Sequence, residues 1–145
     1  MARYCSVMNI EYYLPLRKKT KIFQRRKVTT MLPLFPSYIF ASIPQHHADG
    51  IKRSDFVLKF IAPESEEDLL KTLDQIKRAI TIDPEMGEAE NIKKGTRVRI
   101  INGPFAGIEG EVSSLKGNIK VMLNVDIIGK AASVETTRDC IEVLE

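Results

Sequence analysis

Residues 95–112 read GTRVRIINGPFAGIEGEV, with glycines at 103, 107 and 110 set between two strand-like runs. Gly-rich spacing can cradle a phosphate, but only when a helix follows, so that free backbone N–H groups and the positive helix end face the anion. No helical period follows here. Beyond Gly110 the apolar residues fall at Val112, then Ile119, Val121, Leu123, Val125 and Ile127, the period of two that marks strands with one buried face. The glycines therefore shape backbone: Asn102-Gly103 suits a turn that needs positive φ, while Gly107 and Gly110 permit a sharp bend into the next strand. Lys116, Gly117 and Asn118 mark a tight hairpin turn. Short strands are expected at 96–101, 108–115, 118–126, 131–135 and 140–144. With no helix among them they favour a small closed barrel, because closure removes exposed edges.

Working back from this unit, TIDPEMGEAEN at 81–91 is polar, carries Pro84 and Gly87 and has no apolar period, so it reads as a linker. The division expected is a first domain over 1–82, a linker over 83–91 and a barrel domain over 92–145. The clearest helix of the first domain begins after Pro63, where Ser65 with Asp68 three residues on makes an approximate capping box. Leu69, Leu73, Ile76 and Ile80 form its apolar stripe, and Lys77 and Arg78 sit near its end. Residues 2–9 read as the end of a helix, 10–16 as a strand limited by Pro15, 45–53 as a short helix, and FVLKFIA at 56–62 as another strand.

Two stretches stand out as candidate contact surfaces. RKKTKIFQRRK at 17–27 has seven basic residues in eleven and no acid among them, which points to a protruding basic hairpin, with Arg25, Arg26 and Lys27 as candidate phosphate-binding residues. LFPSYIFASI at 34–43 reads as a turn at Pro36 and Ser37 feeding a strand. Its alternation puts Tyr38, Phe40 and Ser42 on one face and Ile39, Ala41 and Ile43 on the other, so one face can serve a core and leave aromatics facing outward.

The chain has 145 residues and a formal net charge of +3, but that total hides an asymmetry. Residues 1–48 hold 8 Lys/Arg against Glu11 alone, and residues 49–145 hold 14 against 18 Asp/Glu. A polyanion would meet the front. The longest mostly apolar stretch, residues 32–43, contains two prolines and is too short to cross a bilayer. The N-terminus lacks an export leader's pattern, so the protein reads as cytoplasmic, with no membrane contact. Cys5 and Cys140 stand apart without ligand spacing and read as free thiols, and the neighbouring His46 and His47 read as surface residues. No nucleophile and base pairing, metal-ligand spacing or nucleotide loop is present, so no enzyme activity, metal or cofactor is expected.

The stretch GTRVRIINGPFAGIEGEVSSLKGNIKV at 95–121 resembles the KOW motif, and NVDIIGKAASVE at 124–135 is similar to the end of the KOW barrel in the NusG family. LPLFPSYIF at 32–40 resembles that family's FPGY segment, and PESEEDLL at 63–70 the start of a late helix in its amino-terminal domain. The order of elements is also the family's. The resemblance implies an α+β fold, an N-terminal NGN-like α/β sandwich linked to a small C-terminal SH3-like KOW β-barrel. Family members open on a WYVV-type strand and a basic helix. This chain opens inside what would be the end of that helix, and an upstream extension supplying a central strand is expected.

The function this implies is transcription elongation or antitermination by binding RNA polymerase and suppressing pausing or termination, carried out as a monomer. Phe35, Tyr38 and Phe40 match the patch that docks on the clamp of the largest polymerase subunit. Arg25, Arg26 and Lys27 lie in the hairpin that, in specialised RfaH-like members, touches non-template DNA. Phe105, Ile127, Ile128 and Lys130 match barrel-loop positions that bind Rho or a small-subunit ribosomal protein, with Ile128 standing where relatives commonly carry Phe. The alternative reading is a KOW-containing ribosomal or ribosomal-RNA-binding protein. Against it, residues 88–145 carry 8 Lys/Arg and 9 Asp/Glu, a near-neutral surface ill suited to general RNA binding.

Overall fold

A computed structural model describes residues 1–92 and 95–144. The first part begins with α1 (Ala2–Val7) and β1 (Glu11–Tyr13), followed by a long ribbon made of β2 (Leu16–Phe23) and β3 (Arg26–Pro33). Strand β4 (Phe40–Ser42) returns antiparallel to β1, pairing Glu11 with Ser42 and Tyr13 with Phe40. Helix α2 (Gln45–Arg53) and the long helix α3 (Glu66–Ile82) complete this part. The expected capping box is present at α3: Ser65 sits in extended conformation and its Oγ accepts from the Asp68 N–H at 3.2 Å. Glu66, Glu67 and Asp68 place negative charge against the positive end of the helix.

The second part is a six-stranded antiparallel sheet ordered β10-β6-β7-β8-β9-β5. Its members are β5 (Gly87–Glu90), β6 (Thr96–Ile100), β7 (Glu109–Val112), β8 (Ile119–Val125), β9 (Lys130–Thr136) and β10 (Ile141–Val143). Period-two alternation sends Ile119, Val121, Leu123 and Val125 of β8 into the core, where they meet Val98, Ile100, Ile108, Val112 and Val134. The five strands expected from the sequence are all here, and the fold is the α+β arrangement expected, with an SH3-like sheet at the C-terminal end. Closure is incomplete, since β10 and β5 end the sheet as edges.

Three local expectations differ from the structure. Residues 56–62 form no strand: the two-stranded β1–β4 sheet is only three rungs long, too short an edge for a seven-residue run. Val57 packs on the small cluster of Cys5, Ile10 and Ile51, while Leu58 is fully exposed. The turn expected at Pro36 and Ser37 is present, with Ser37 at φ +74° and the Tyr38 N–H donating to the Phe35 carbonyl, but the strand it feeds is shorter than expected, leaving Tyr38, Ile39 and Ile43 outside β4. Within 83–91, four residues form β5, which pairs with β9 and is fastened by Lys130 Nζ to Glu90 at 2.6 Å and Glu88 at 3.5 Å.

The glycines divide by role. Gly103 and Gly107 have φ of +87° and +94°, and the Gly107 N–H reaches back to the Ile100 carbonyl at 2.7 Å to close the loop that joins β6 to β7. Gly110 is needed for closeness and not for φ: a Cβ there would lie 2.5 Å from the Met122 carbonyl oxygen and 2.7 Å from Val121 Cγ1 on β8. Gly110→Ala is therefore expected to push β7 from β8 and destabilise the sheet by about 1–3 kcal/mol, read from the urea midpoint of the intact chain.

Candidate functional site

The two parts share one apolar cluster. Leu34 and Phe35 before β4, Leu73, Ile76 and Ala79 of α3, and Met86 are buried with Ile108, Leu123, Val125 and the rest of the sheet's inner face. Tyr13, Tyr38, Phe40, Leu69 and Ile80 pack against this cluster from the first part, and Phe105, Leu115, Ile127 and Ile128 from the second. Polar contacts fix the register. Arg78 Nη2 donates to the Ala106 carbonyl at 3.1 Å, and the Glu109 main-chain N–H donates to Gln75 Oε1 at 2.7 Å. At the start of the ribbon, the Lys18 N–H donates to the Pro84 carbonyl at 2.6 Å and Arg17 Nη2 to the Glu85 carbonyl at 3.1 Å.

This arrangement corrects the expectation that the aromatics at 35–40 face outward. Phe35 is only 1% exposed, and Tyr38 and Phe40 are half-buried. The Phe35 and Phe40 rings meet edge to face at 6.3 Å. Strand β4 alternates as the sequence implies, but both its faces are covered: Ala41 and Ile43 pack on the Cys5–Ile10–Ile51 cluster, and Phe40 packs on the cluster shared with the sheet. The aromatic patch and the barrel-loop residues Phe105, Ile127 and Ile128 thus bury surface within one cluster. Tyr13 lies there too, its hydroxyl pKa raised by burial, with Lys77 Nζ 5.9 Å from the centre of its ring. Lys130, the fourth loop candidate, is occupied by Glu88 and Glu90, and the hydrogen bond to Glu90 is the main cause of its raised pKa.

The basic hairpin is present and longer than the sequence suggested. All eight β2–β3 rungs pair in register from Leu16–Pro33 to Phe23–Arg26, and every residue but Arg17 is exposed. Arg25, Arg26 and Lys27 lie at its tip, and among the described residues none of the ribbon's cations is in an ion pair with a carboxylate. Cations of the sheet are partly paired: Arg97, Arg99 and Lys130 contact carboxylates, and among the described residues Lys120 of β8 does not. Arg99 bonds Glu109 at 2.7 Å and Glu142 at 3.0 Å, and Arg97 adds a 3.5 Å contact to Glu109. The hydrogen bond from Arg99 holds the Glu109 carboxyl below the ordinary range.

Sequence reasoning missed Gln75, Arg78 and Glu109 as contact residues. The only available signal was position, since Gln75 and Arg78 are three apart and flank Ile76 and Ala79, so they border the buried stripe of α3.

A ribbon-bearing α+β domain seated against an SH3-like sheet domain defines a two-part binding protein. The family profile described as Transcription termination factor nusG matches residues 3–80. The chain belongs to this family of transcription termination and antitermination factors. The Transcription termination/antitermination protein NusG of Staphylococcus aureus, in strains Mu50 and N315, is 25% identical over 146 aligned residues, covering 90% of this chain and 76% of the relative. A solved structure concerned with domain interaction in Thermotoga maritima NusG superposes with a TM-score of 0.50 and 19% identity over 99% of this chain and 86% of the other, which supports the shared fold. No helix among the described residues is long and apolar enough to cross a membrane.

Two outcomes are expected at the seam. Gln75→Ala combined with Arg78→Ala should loosen the contact and speed amide hydrogen exchange at residues 100–109 and 34–40 together, read by mass spectrometry. The second concerns pH. Because the folded-state pKa of Glu109 is depressed, its stabilisation is fully present above the unfolded value of about 4.3 and is lost as pH falls through the folded value. Glu109→Gln should lower the urea midpoint at pH 7 and show a shallower loss of stability below about pH 4.5 than the parent chain.

Proposed function

We propose that this chain is an elongation and antitermination factor that acts by binding RNA polymerase and suppressing pausing or termination, without catalysing a reaction. In this reading Phe35, Tyr38 and Phe40 supply the apolar patch for the clamp of the largest polymerase subunit. Arg25, Arg26 and Lys27 approach non-template DNA. Phe105, Ile127, Ile128 and Lys130 form the barrel surface for Rho or a small-subunit ribosomal protein. The site of action is the cytoplasm, where the transcription complex works.

The observation that carries the reading is the projecting ribbon, none of whose cations is in an ion pair among the described residues, whereas Arg97, Arg99 and Lys130 of the sheet are each held by carboxylates. Unpaired Lys and Arg on a projecting element retain their attraction for phosphate, and paired ones largely do not. That same contrast disfavours the ribosomal-RNA reading, because Arg97, Arg99 and Lys130 are already held by carboxylates.

Burial of the aromatic patch adds a condition. Aromatics that hold the sheet domain cannot at the same time fill a pocket on polymerase, so engagement requires the sheet domain to leave α3. Polymerase then shifts a pre-existing equilibrium by no more than its differential affinity for the open form.

The test is co-purification with RNA polymerase and elongation on a pausing template. Tyr38→Ala with Phe40→Ala should cost at least tenfold in polymerase retention and abolish the change in pause lifetime. Gln75→Ala with Arg78→Ala, which loosens the seam and leaves the patch intact, should raise retention. Association with ribosomes alone, with no effect on elongation, would overturn the reading.

A further inference from the structure

Each strand of a two-stranded ribbon pairs along one edge and leaves the main-chain groups of its other edge to solvent or to a third partner. On β2 that outer edge is occupied at the root, where the Lys18 N–H donates to the Pro84 carbonyl at 2.6 Å and the neighbouring Arg17 Nη2 donates to the Glu85 carbonyl at 3.1 Å. The segment they grip is a tight turn. The Asp83 N–H bonds the Ala79 carbonyl at the end of α3, Asp83 Oδ1 accepts from the Glu85 N–H at 3.2 Å, and the Asp83 carbonyl accepts from the Met86 N–H at 3.1 Å. Met86 is then buried in the cluster shared with the sheet, and Gly87 opens β5 opposite Ser133. The run Asp83–Met86 is thus fastened to α3, to the shared cluster, to β5 and, on its remaining side, to the ribbon.

Arg17 supplies a separate observation. It is the one ribbon residue that is not exposed, and its Nε is buried with no hydrogen-bond partner among the described residues. A guanidinium ordinarily pairs its donors or keeps them in water, so a buried Nε–H without an acceptor is a standing cost that release of the side chain would remove. Alternation puts Arg17 on the same ribbon face as Lys19 and Lys21, which make no side-chain hydrogen bond or ion pair among the described residues. With the turn docked, that cationic row begins at Lys19. With the turn gone, Arg17 regains water and lengthens the row by one.

We propose that Arg17 is a two-position latch between the ribbon and the linker: docked, it holds the turn through the Glu85 carbonyl and helps keep the sheet domain on α3, and undocked, it becomes a further phosphate contact of the ribbon. The latch rests on the reading that the hairpin meets nucleic acid, and adds to it a physical route by which ribbon and sheet domain affect one another. Its sign follows from reciprocity. A seated turn withholds one cation from a polyanion, so a polyanion on the ribbon loosens the turn by the same factor. The size is bounded as well, because the coupling cannot exceed the difference that one phosphate contact makes between the two positions.

The experiment titrates the full chain with a fluorescent mixed-sequence single-stranded deoxyoligonucleotide at several salt concentrations, in the parent and in Gln75→Ala with Arg78→Ala, which loosens the seam. The loosened chain is expected to bind severalfold tighter at low salt, with a slope of log K against log salt steeper by about 0.7, the share of one phosphate. Adding Arg17→Ala should remove both gains, whereas adding Lys19→Ala should weaken both chains equally and leave the gains in place. Asp83→Ala, which disturbs the turn from the linker's side, should reproduce the gain of the loosened chain. An arm without nucleic acid follows amide hydrogen exchange by mass spectrometry: Arg17→Ala should speed exchange at residues 85–87 and 100–109, and Lys19→Ala should not. Persistence of the gain in the Arg17→Ala background, no gain on loosening the seam, or unchanged exchange at 85–87 in Arg17→Ala would each overturn the latch while leaving nucleic-acid contact by the hairpin standing. No binding by either the parent or the loosened chain would overturn the underlying reading, and with it the undocked role of Arg17.

Discussion

The rest of the structure depends on the apolar cluster shared by α3, the segment around Phe35 and the inner face of the sheet. The first part closes no large core alone, since its other cluster has only Cys5, Ile10 and Ile51 fully buried. Helix α3 supplies Leu73, Ile76 and Ala79 to the shared cluster, and the sheet answers with Ile108, Leu123 and Val125. Apolar burial has no direction, so it would tolerate several relative placements. The bonds from Arg78 to Ala106 and from Glu109 to Gln75 select one. The side chains that hold the contact are apolar ones that an external apolar surface would also satisfy.

Charge is distributed with equal economy. In the sheet, Arg99 bridges Glu109 and Glu142 while Lys130 bridges Glu88 and Glu90. Among the described residues none of the ribbon's cations is in an ion pair, and Arg17 at its base donates to the Glu85 carbonyl. The field around the molecule is therefore concentrated on one projecting element, where it can orient an approaching polyanion before contact.

What could be read from the sequence follows from which forces are local. Strands β6 to β10 were legible because one face is buried and alternation records it, and α3 because Ser65 and the stripe at Leu69, Leu73, Ile76 and Ile80 are local signals. The ribbon's length was obscured for the opposite reason: with both faces in solvent, VTTMLP in β3 carries no alternation. Strand β5, Gly-Glu-Ala-Glu, has little strand propensity and forms because the edge of β9 and Lys130 lie beside it. Residues 56–62 have the propensity but meet only a three-rung edge. For the candidate site, the aromatic segment and the loop residues were each recognisable as contact surface. That they meet each other was not, since composition does not distinguish a side chain that docks within its own chain from one that docks on another.

Strand β5 also sets how far the sheet domain can travel. With β5 zipped to β9, only Asp83 to Met86 separate it from α3, and four extended residues reach about 14 Å. At that leash length a detached sheet domain stays at a local concentration in the millimolar range, so it competes continually with anything occupying the vacated helix. Peeling away the segment from β5 to Ile92 would extend the leash to roughly 35 Å, at the expense of four rungs, two ion pairs and the hydrogen bonds that tie Asn91 and Ile92 to Asp126, Asn124 and Gly129. Were the sheet domain to leave α3, the segment Gly87–Ile92 would therefore set whether its tether is short or long.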